Sequence, residues 1–206
     1  MNALPTTATD AWNLLMTGNK NFVAGTPRRL RQGIETGRAV ANAQRPFAAL
    51  FGCSDSRVSA ELIFDVGLGD LFVIRNAGQV IAETILGSLE FAVEVLHVPI
   101  ILVLGHDACG AVKATVDSLN GDLKTEGEYI RNLVGRISPT ISSSISAGRT
   151  SIDELTADHI TVTIDEILDR SKLIASRVRA GQVAIVGASY RLEIGEVHRL
   201  VSRGQL

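Results

Sequence analysis

Three reactive side chains of different kinds fall within five positions of this sequence. Cys53, Asp55 and Arg57 directly follow the apolar run 47–52, FAALFG. A thiol, a carboxylate and a guanidinium are costly in a buried segment unless they pair with one another or hold a ligand. The stretch therefore indicates a chemical site at the end of a core strand.

A second reactive group follows about fifty residues later, again at the end of an apolar run. The run 98–105, VPIILVLG, leads into His106 and Cys109, which are three residues apart. That spacing lets one metal ion reach both side chains. Ligands in open α/β sheets bind at the carboxyl ends of the strands. If the two strands are neighbours, Cys53, His106 and Cys109 converge at one edge.

Two thiolates and one imidazole form a ligand set that suits Zn²⁺. His97, His159 and His198 fall in helical or edge segments, so we interpret them as ordinary surface or core histidines. The fourth ligand position is then open to water, as in catalytic zinc sites, or taken by a nearby carboxylate. Asp55 could orient a metal-bound water while Arg57 holds Asp55 in a bidentate pair. An ordinary loop salt bridge is the alternative for this pair.

The two cysteines of the chain also allow other interpretations. Two are too few for the disulfide framework of a secreted protein. They could be small buried hydrophobic residues, or they could form a redox or regulatory disulfide, although no C-x-x-C motif supports that. A noncatalytic zinc-binding module is a further alternative. In such a module Asp55 and Arg57 would have no catalytic role.

Apolar runs predict the strands that position these residues. Runs of this kind are typical of strands covered on both faces, as in a parallel sheet, and they span 47–52, 71–76, 98–105 and 182–189. The tail 190–202 is predicted to form a hairpin at the sheet edge. The segments 26–38 and 138–148 are interpreted as a linker and a loop. We therefore predict an α/β fold with about four parallel strands and one antiparallel edge strand, flanked by helices.

Helical periodicity appears before and between these strands. The predicted helical ranges are 9–24, 81–98, 109–119 and most of 151–179. Thr9 or Asp10 would cap the first helix, and Ser151 with Glu154 fits a capping box. The first helix precedes the core and could pack either on its own chain or on a partner subunit.

Composition limits the function classes. Of 206 residues, 46% are hydrophobic, and the formal net charge is −2, without the basic patch of a nucleic-acid-binding surface. Residues 1–22 lack the pattern of a secretory signal, and the run 98–105 is too short to span a bilayer. We therefore expect a single domain, residues 1–206, in the cytoplasm, with neither nucleic acid nor membrane as a partner.

The motifs resemble those of the β-class carbonic anhydrases. The resemblance rests on CSDSR (53–57) and GHDACG (105–110) and covers most of the chain. The flanking stretches that also resemble the family are 11–25, 67–78, 88–96 and 183–197. The resemblance implies one Zn²⁺ per chain bound by Cys53, His106 and Cys109. It implies Asp55 and Arg57 as a catalytic dyad, and reversible hydration of CO₂ to bicarbonate and a proton through a zinc-bound hydroxide.

The resemblance also implies a substrate pocket and an assembly. Gln44 matches a glutamine that hydrogen-bonds substrate in plant-type members. The positions that match the pocket lining are Phe72, Ala77 and Phe91, with Gly110 beside the last metal ligand. Plain core is the alternative for the first three. The family's N-terminal arm packs on a partner, which implies a homodimer or homotetramer with residues 1–45 as the arm and 46–206 as the zinc core.

One departure from the family concerns the state of the zinc. Bicarbonate-inhibited members carry a tryptophan three residues before the first cysteine ligand, where this chain has Leu50. Arg75 and Tyr190 resemble the other two residues of that bicarbonate pocket. We expect the plant-type, open zinc near neutral and higher pH, with Asp55 as a fourth ligand only in a closed form. A carbon disulfide or carbonyl sulfide hydrolase on the same scaffold is the remaining alternative.

Overall fold

A five-stranded sheet forms the centre of the computed structural model, which describes residues 4–206. Its strands are β1 (Ala48–Cys53), β2 (Leu71–Asn76), β3 (Ile100–His106), β4 (Ala184–Tyr190) and β5 (Val197–Arg203). The spatial order is β2-β1-β3-β4-β5, with the first four strands parallel and β5 antiparallel at the edge. The predicted mostly parallel sheet with one antiparallel edge strand is confirmed, although the segment 190–202 supplies only the second arm of the edge hairpin and β4 supplies the first.

Helices cover both faces of the sheet. Within residues 4–206 the α-helices are α1 (Ala8–Val23), α2 (Ile34–Val40), α3 (Ala60–Ile63), α4 (Glu83–Glu94), α5 (Gly110–Leu119), α6 (Glu128–Ser146), α7 (Ile152–Arg170) and α8 (Lys172–Arg179). One apolar cluster joins α1 and α3 to one face, and another joins α4, α7 and α8 to the opposite face. None of these helices is both long and apolar enough to cross a membrane.

The interpretation of 138–148 as a loop is wrong, because α6 continues to Ser146. The serine-rich composition hides an amphipathic pattern, in which Ile137 and Ile141 are fully buried one turn apart. Pro139 lies on the exposed side, where a missing backbone hydrogen bond is tolerated most easily. Packing of the buried face therefore outweighs the low helix propensity of serine and proline.

Two helix boundaries also differ from the predictions. The first helix begins at Ala8, and Thr7 rather than Thr9 or Asp10 caps it, since the Thr7 hydroxyl accepts a hydrogen bond from the Asp10 amide. The segment 26–38 is not a linker throughout, because α2 begins at Ile34. The predicted capping box of Ser151 is present at the start of α7.

The N-terminal helix α1 packs on the core of its own chain. Ala11 and Leu15 are fully buried there. The Asn19 amide donates to the carbonyls of Ile63 and Gly195, and its oxygen accepts from the Val197 amide. Packing of the arm 1–45 on a partner subunit stays a prediction.

Two glycines let α7 lie close against the sheet. A Cβ at Gly105 would fall 2.5 Å from Ile160 Cδ1, and one at Gly187 would fall 2.8 Å from Ile160 Cγ2. These distances are shorter than real carbon contacts, so only glycine fits at both positions. The close approach fixes α7 against β3 and β4.

Candidate metal centre

The three predicted metal ligands come together at the carboxyl edge of the sheet. Cys53 is the last residue of β1, His106 is the last residue of β3, and Cys109 precedes α5. β1 and β3 are parallel neighbours, which brings their ends side by side. The ligand atoms of the three residues all lie within 4.8 Å of one another, and all three residues are buried.

The imidazole of His106 is oriented so that one nitrogen is available to an ion. Its Nδ1 lies 2.8 Å from the Asp107 carbonyl oxygen, which can only accept, so Nδ1 carries the proton. Its Nε2 is buried and has no hydrogen-bond partner among residues 4–206. A buried, unpaired lone pair is costly, and a metal ion at this point would satisfy it.

The two thiols shift each other's pKa in opposite directions. The hydrogen bond between them lowers the pKa of Cys53 well below its usual range, against the opposing effect of burial. The same hydrogen bond, together with burial, raises the pKa of Cys109. A dication bound between the two sulfurs would displace their protons. Two soft thiolates with one imidazole fit Zn²⁺.

Asp55 lies beside this cluster, held by Arg57. Arg57 donates from Nε to Asp55 Oδ1 at 2.9 Å and from Nη2 to Asp55 Oδ2 at 2.8 Å. These hydrogen bonds hold the pKa of Asp55 well below its usual range. Asp55 Oδ2 is also 3.7 Å from His106 Nε2, so the carboxylate faces the ligand cluster. The arrangement is a bidentate pair at the edge of a site that can hold a metal.

Arg75 supports the loop that carries Cys53 and Asp55. Its Nε donates to the Cys53 carbonyl at 2.9 Å, and its Nη2 donates to the Asp55 carbonyl at 2.7 Å. Leu50 and Tyr190, the other two positions compared with a bicarbonate pocket, are buried in one apolar cluster. The guanidinium of Arg75 is thus engaged with the backbone, a role that the sequence pattern did not reveal.

The turn Ala77–Gln79, which follows β2, also contacts the ligands. The Gly78 amide donates to Cys53 Sγ at 3.4 Å. Ala77 is exposed beside it, and Gly110 is exposed at the start of α5, directly after Cys109. Ala77 and Gly110 therefore lie at the same edge of the sheet as the metal ligands.

Three other predicted pocket residues lie elsewhere. Gln44 is exposed before the amino end of β1, in a groove with Leu96 and Pro99. Phe72 is near the amino end of β2 and contacts Phe91, with 6.0 Å between the ring centroids. Since the six residues of β1 span roughly 20 Å, one chain does not bring Gln44 to its own metal ligands.

Comparison with known proteins identifies carbonic anhydrases as relatives of this chain. The family model described as carbonic anhydrase matches residues 48–197. A carbonic anhydrase of Mycolicibacterium smegmatis is 49% identical over 187 residues, which cover 91% of this chain and 90% of that protein. Carbonic anhydrase 2 of Mycobacterium tuberculosis is 45% identical over 185 residues, which cover 90% of this chain and 89% of that protein.

Solved structures show the same fold. The β-carbonic anhydrase CcaA superposes with a TM-score of 0.69 at 27% identity, covering 91% of this chain and 94% of that chain. A β-carbonic anhydrase of Sordaria macrospora, described as tetrameric, gives a TM-score of 0.73 at 18% identity over 95% of this chain and all of that one. At this identity, the similarity to the Sordaria macrospora structure shows the fold alone. With the family model matched over most of the chain and two relatives aligned over about nine tenths of it, this chain belongs to the β-carbonic anhydrase family of enzymes.

Proposed function

We propose that this protein catalyses the reversible hydration of CO₂ to bicarbonate and a proton, with one Zn²⁺ per chain held by Cys53, His106 and Cys109. The observation that supports this most directly is the buried ligand cluster, whose donor atoms lie within 4.8 Å of one another beside the Asp55–Arg57 pair. Zinc bound there would lower the pKa of a coordinated water molecule and so provide a nucleophile near neutral pH.

Asp55 is suited to orient that water molecule. As an ionised carboxylate it can only accept hydrogen bonds, and Oδ2, which faces the ligand cluster, accepts just one from Arg57 among residues 4–206. A lone-pair direction on Oδ2 therefore stays available for the water. Because Arg57 lowers the pKa of Asp55, the carboxylate accepts the hydrogen bond without keeping the proton at neutral pH. The proton must pass on to solvent.

Arg57 also keeps Asp55 from becoming a ligand. Both carboxylate oxygens are bonded to the guanidinium, and the Arg57 amide donates to Oδ1 as well, at 2.9 Å. Moving Asp55 onto a metal would break these charge-assisted hydrogen bonds. We therefore propose the open arrangement, with the fourth zinc position left to water, near neutral and higher pH. The apolar Leu50, in place of a tryptophan, is consistent with it.

The complete active site is proposed to need two subunits. Gln44, Phe72 and Phe91 lie far from the metal ligands of their own chain. Phe91 is nevertheless 43% exposed, and the Phe72 ring beside it is half-buried. An exposed aromatic pair suits contact with another protein surface and with an apolar substrate such as CO₂. In a two-fold dimer each chain would supply these residues to its partner's metal centre.

We propose a cytoplasmic location for the enzyme. Cys53 and Cys109 are both free thiols. A reducing compartment keeps such thiols available to a metal.

The test is stopped-flow CO₂ hydration at about pH 8.5, where the zinc ligands are expected to be in their binding form. Zinc content is measured on the same sample. We expect one zinc per chain in the wild type, and in Asp55→Ala the same zinc content with turnover lower by about 10²- to 10⁴-fold. Asp117→Ala, which removes a carboxylate from an exposed helical ion pair, is the control. Full zinc without CO₂ turnover would contradict the proposal and direct the assay to carbon disulfide and carbonyl sulfide.

A further inference from the structure

A backbone amide donates a hydrogen bond to one of the metal-ligand sulfurs. The Gly78 N–H points at Cys53 Sγ, with 3.4 Å between nitrogen and sulfur. Gly78 has a φ of +68°, and a Cβ there would lie 2.7 Å from Ala111 Cβ. Both the backbone conformation and the close contact therefore require glycine, so the amide is presented by a turn with little freedom to change.

Two side chains hold this turn in place. Asn76 bridges it from one side, donating to the Val80 carbonyl at 2.7 Å and accepting from the Val80 amide at 2.8 Å. His159, on α7, holds it from the other side, with Nε2 2.8 Å from the Gly78 carbonyl oxygen. A carbonyl only accepts, so His159 Nε2 is the donor.

His159 is not a residue that packing alone would favour. It is 6% exposed, and its Nδ1 has no hydrogen-bond partner among residues 4–206. An unpaired polar atom in the interior costs stability that an apolar side chain of similar volume would not cost. Burial also lowers the pKa of His159, which keeps the imidazole neutral with a single N–H. That one proton is directed at Gly78.

We propose that His159 is a positioning residue for the metal ligand Cys53. By holding the Gly78 carbonyl it restrains the backbone of Gly78 on one side of the Cα, and so helps to place the N–H on the other side, which positions the Cys53 sulfur and withdraws electron density from it. Partners one step behind a metal ligand in this way orient the ligand and tune its donor strength. The inference rests on the proposed metal site, although not on its reaction.

The test compares two near-isosteric replacements. In His159→Gln the amide nitrogen ends about as far along the side chain as the imidazole Nε2, so an N–H donor to Gly78 is kept. His159→Met has a similar length and no donor, and an apolar residue suits this buried position. Thr156→Val, one turn earlier on α7, removes a buried hydroxyl that has no partner among the described residues and is the matched control.

Zinc affinity is measured by competition with a chelator. We expect His159→Met to bind zinc about 10- to 100-fold more weakly than the wild type. His159→Gln should recover most of the affinity, and Thr156→Val should match the wild type. Equal affinity in wild type and His159→Met would overturn the proposal, as would equal losses in all three variants.

A second readout reports on the sulfur itself. In the cobalt-substituted protein, the sulfur-to-metal charge-transfer band should move to lower energy in His159→Met, because an N–H···S hydrogen bond stabilises the sulfur lone pair. The band should stay in place in His159→Gln. An unshifted band in His159→Met would contradict the inference. Neither readout involves turnover, so a wild type that binds metal without hydrating CO₂ would refute the proposed function alone.

Discussion

At the scale of single residues, the proposed chemistry depends on how Arg57 holds Asp55. Arg57 presents two parallel N–H groups to the two carboxylate oxygens, at 2.9 and 2.8 Å. This geometry belongs to a planar guanidinium, because a lysine ammonium is a point donor on a flexible stem. Asp55 therefore has one defined orientation toward the ligand cluster, and that orientation depends on the shape of its partner as well as on its charge.

Arg57→Lys keeps the charge and removes the bidentate geometry. We expect CO₂ hydration to fall by roughly 10- to 100-fold, because a carboxylate that is free to rotate no longer orients the reacting water. Zinc content should stay at one per chain. Arg170→Lys, in an exposed ion pair with Glu166 on α7, is the control and should be unchanged. Wild-type turnover in the Arg57 variant at full zinc would show that charge alone suffices.

At the scale of elements, the distance between α7 and the sheet is the feature that links packing to the site. Gly105 and Gly187 lie on neighbouring strands, and both would collide with Ile160 if they carried a Cβ. His159 is adjacent to Ile160 on α7. The packing distance between α7 and the sheet therefore also sets how near the His159 imidazole comes to Gly78. The two glycines therefore affect both the packing of α7 and the hydrogen bond from His159 to the Gly78 carbonyl.

Gly187→Ala is expected to lower the free energy of unfolding by about 1–3 kcal/mol, because a methyl group is forced into a filled interface. Gly135→Ala places the same methyl on α6, where a Cβ meets nothing within 4 Å. That control should be unchanged or more stable by up to about 1 kcal/mol, since alanine favours helix over glycine. Denaturant unfolding of both variants gives the comparison, and equal effects would contradict the packing argument.

At the scale of the whole molecule, buried carboxylates tie the segment after α1 to the core. Asp65 is 2% exposed and accepts hydrogen bonds from the amides of Arg28 and Arg29 and from the side chains of Asn21 and Arg28. Burial raises the pKa of Asp65, but these hydrogen bonds outweigh it and hold the pKa below its usual value. Asp70 is bonded in the same way to the Arg31 guanidinium and the Gly67 amide.

Asp65→Asn is expected to destabilise the fold by about 1–3 kcal/mol at pH 7, because an amide cannot accept all of these hydrogen bonds. A lowered pKa in the folded state contributes stability above the unfolded pKa, about 3.9, and loses it as the pH falls through the folded value. The difference between wild type and variant should therefore shrink below about pH 4. Urea unfolding across this range measures it. A difference that is constant with pH would contradict the assignment.

Asp117→Asn is the control for this pH series. Its carboxylate forms an exposed ion pair with Lys113 on α5. Exposed pairs of this kind contribute about 0–1 kcal/mol, so the variant should stay close to the wild type at each pH. A loss as large as that of Asp65→Asn would show that burial of the carboxylate is not the cause.

The whole molecule also decides which chain completes each site. Gln44 and Cys53 lie at opposite ends of β1, and we propose that the glutamine of one chain serves the metal centre of another. Two inactive variants should then complement each other. In a mixed dimer of Asp55→Ala with Gln44→Ala, one site carries both substitutions and the other carries neither.

Co-expression of Asp55→Ala and Gln44→Ala with different affinity tags tests this arrangement. Random two-fold pairing of equal amounts should restore about a quarter of wild-type CO₂ hydration. Purification through both tags should enrich the active species. If each site were built from one chain, no pairing would contain an intact site and activity would stay at the level of the separate variants.

The sequence by itself determined the candidate ligands and the edge of the sheet where they meet. Cys53 and His106 each end an apolar run, and in a parallel sheet the ends of neighbouring strands meet. The family motif around Asp55 and Arg57 is equally local, since its residues are two apart and bond to each other. Features that depend on short spacing and on strand direction can be predicted from the sequence.

Only the tertiary structure decided the partners that hold these ligands and the place of Gln44. Arg75 is 22 residues from the Cys53 carbonyl that it bonds, and His159 is 81 residues from Gly78. Such contacts depend on how closely the helices and strands pack. The hydrophobic periodicity of a sequence does not give that distance. The second half of helix α6 was predicted wrongly, as a loop, for a related reason. Burial of Ile137 and Ile141 outweighed the low helix propensity of the local sequence. Local preferences are weak beside the free energy of packing, which is defined only when distant segments meet.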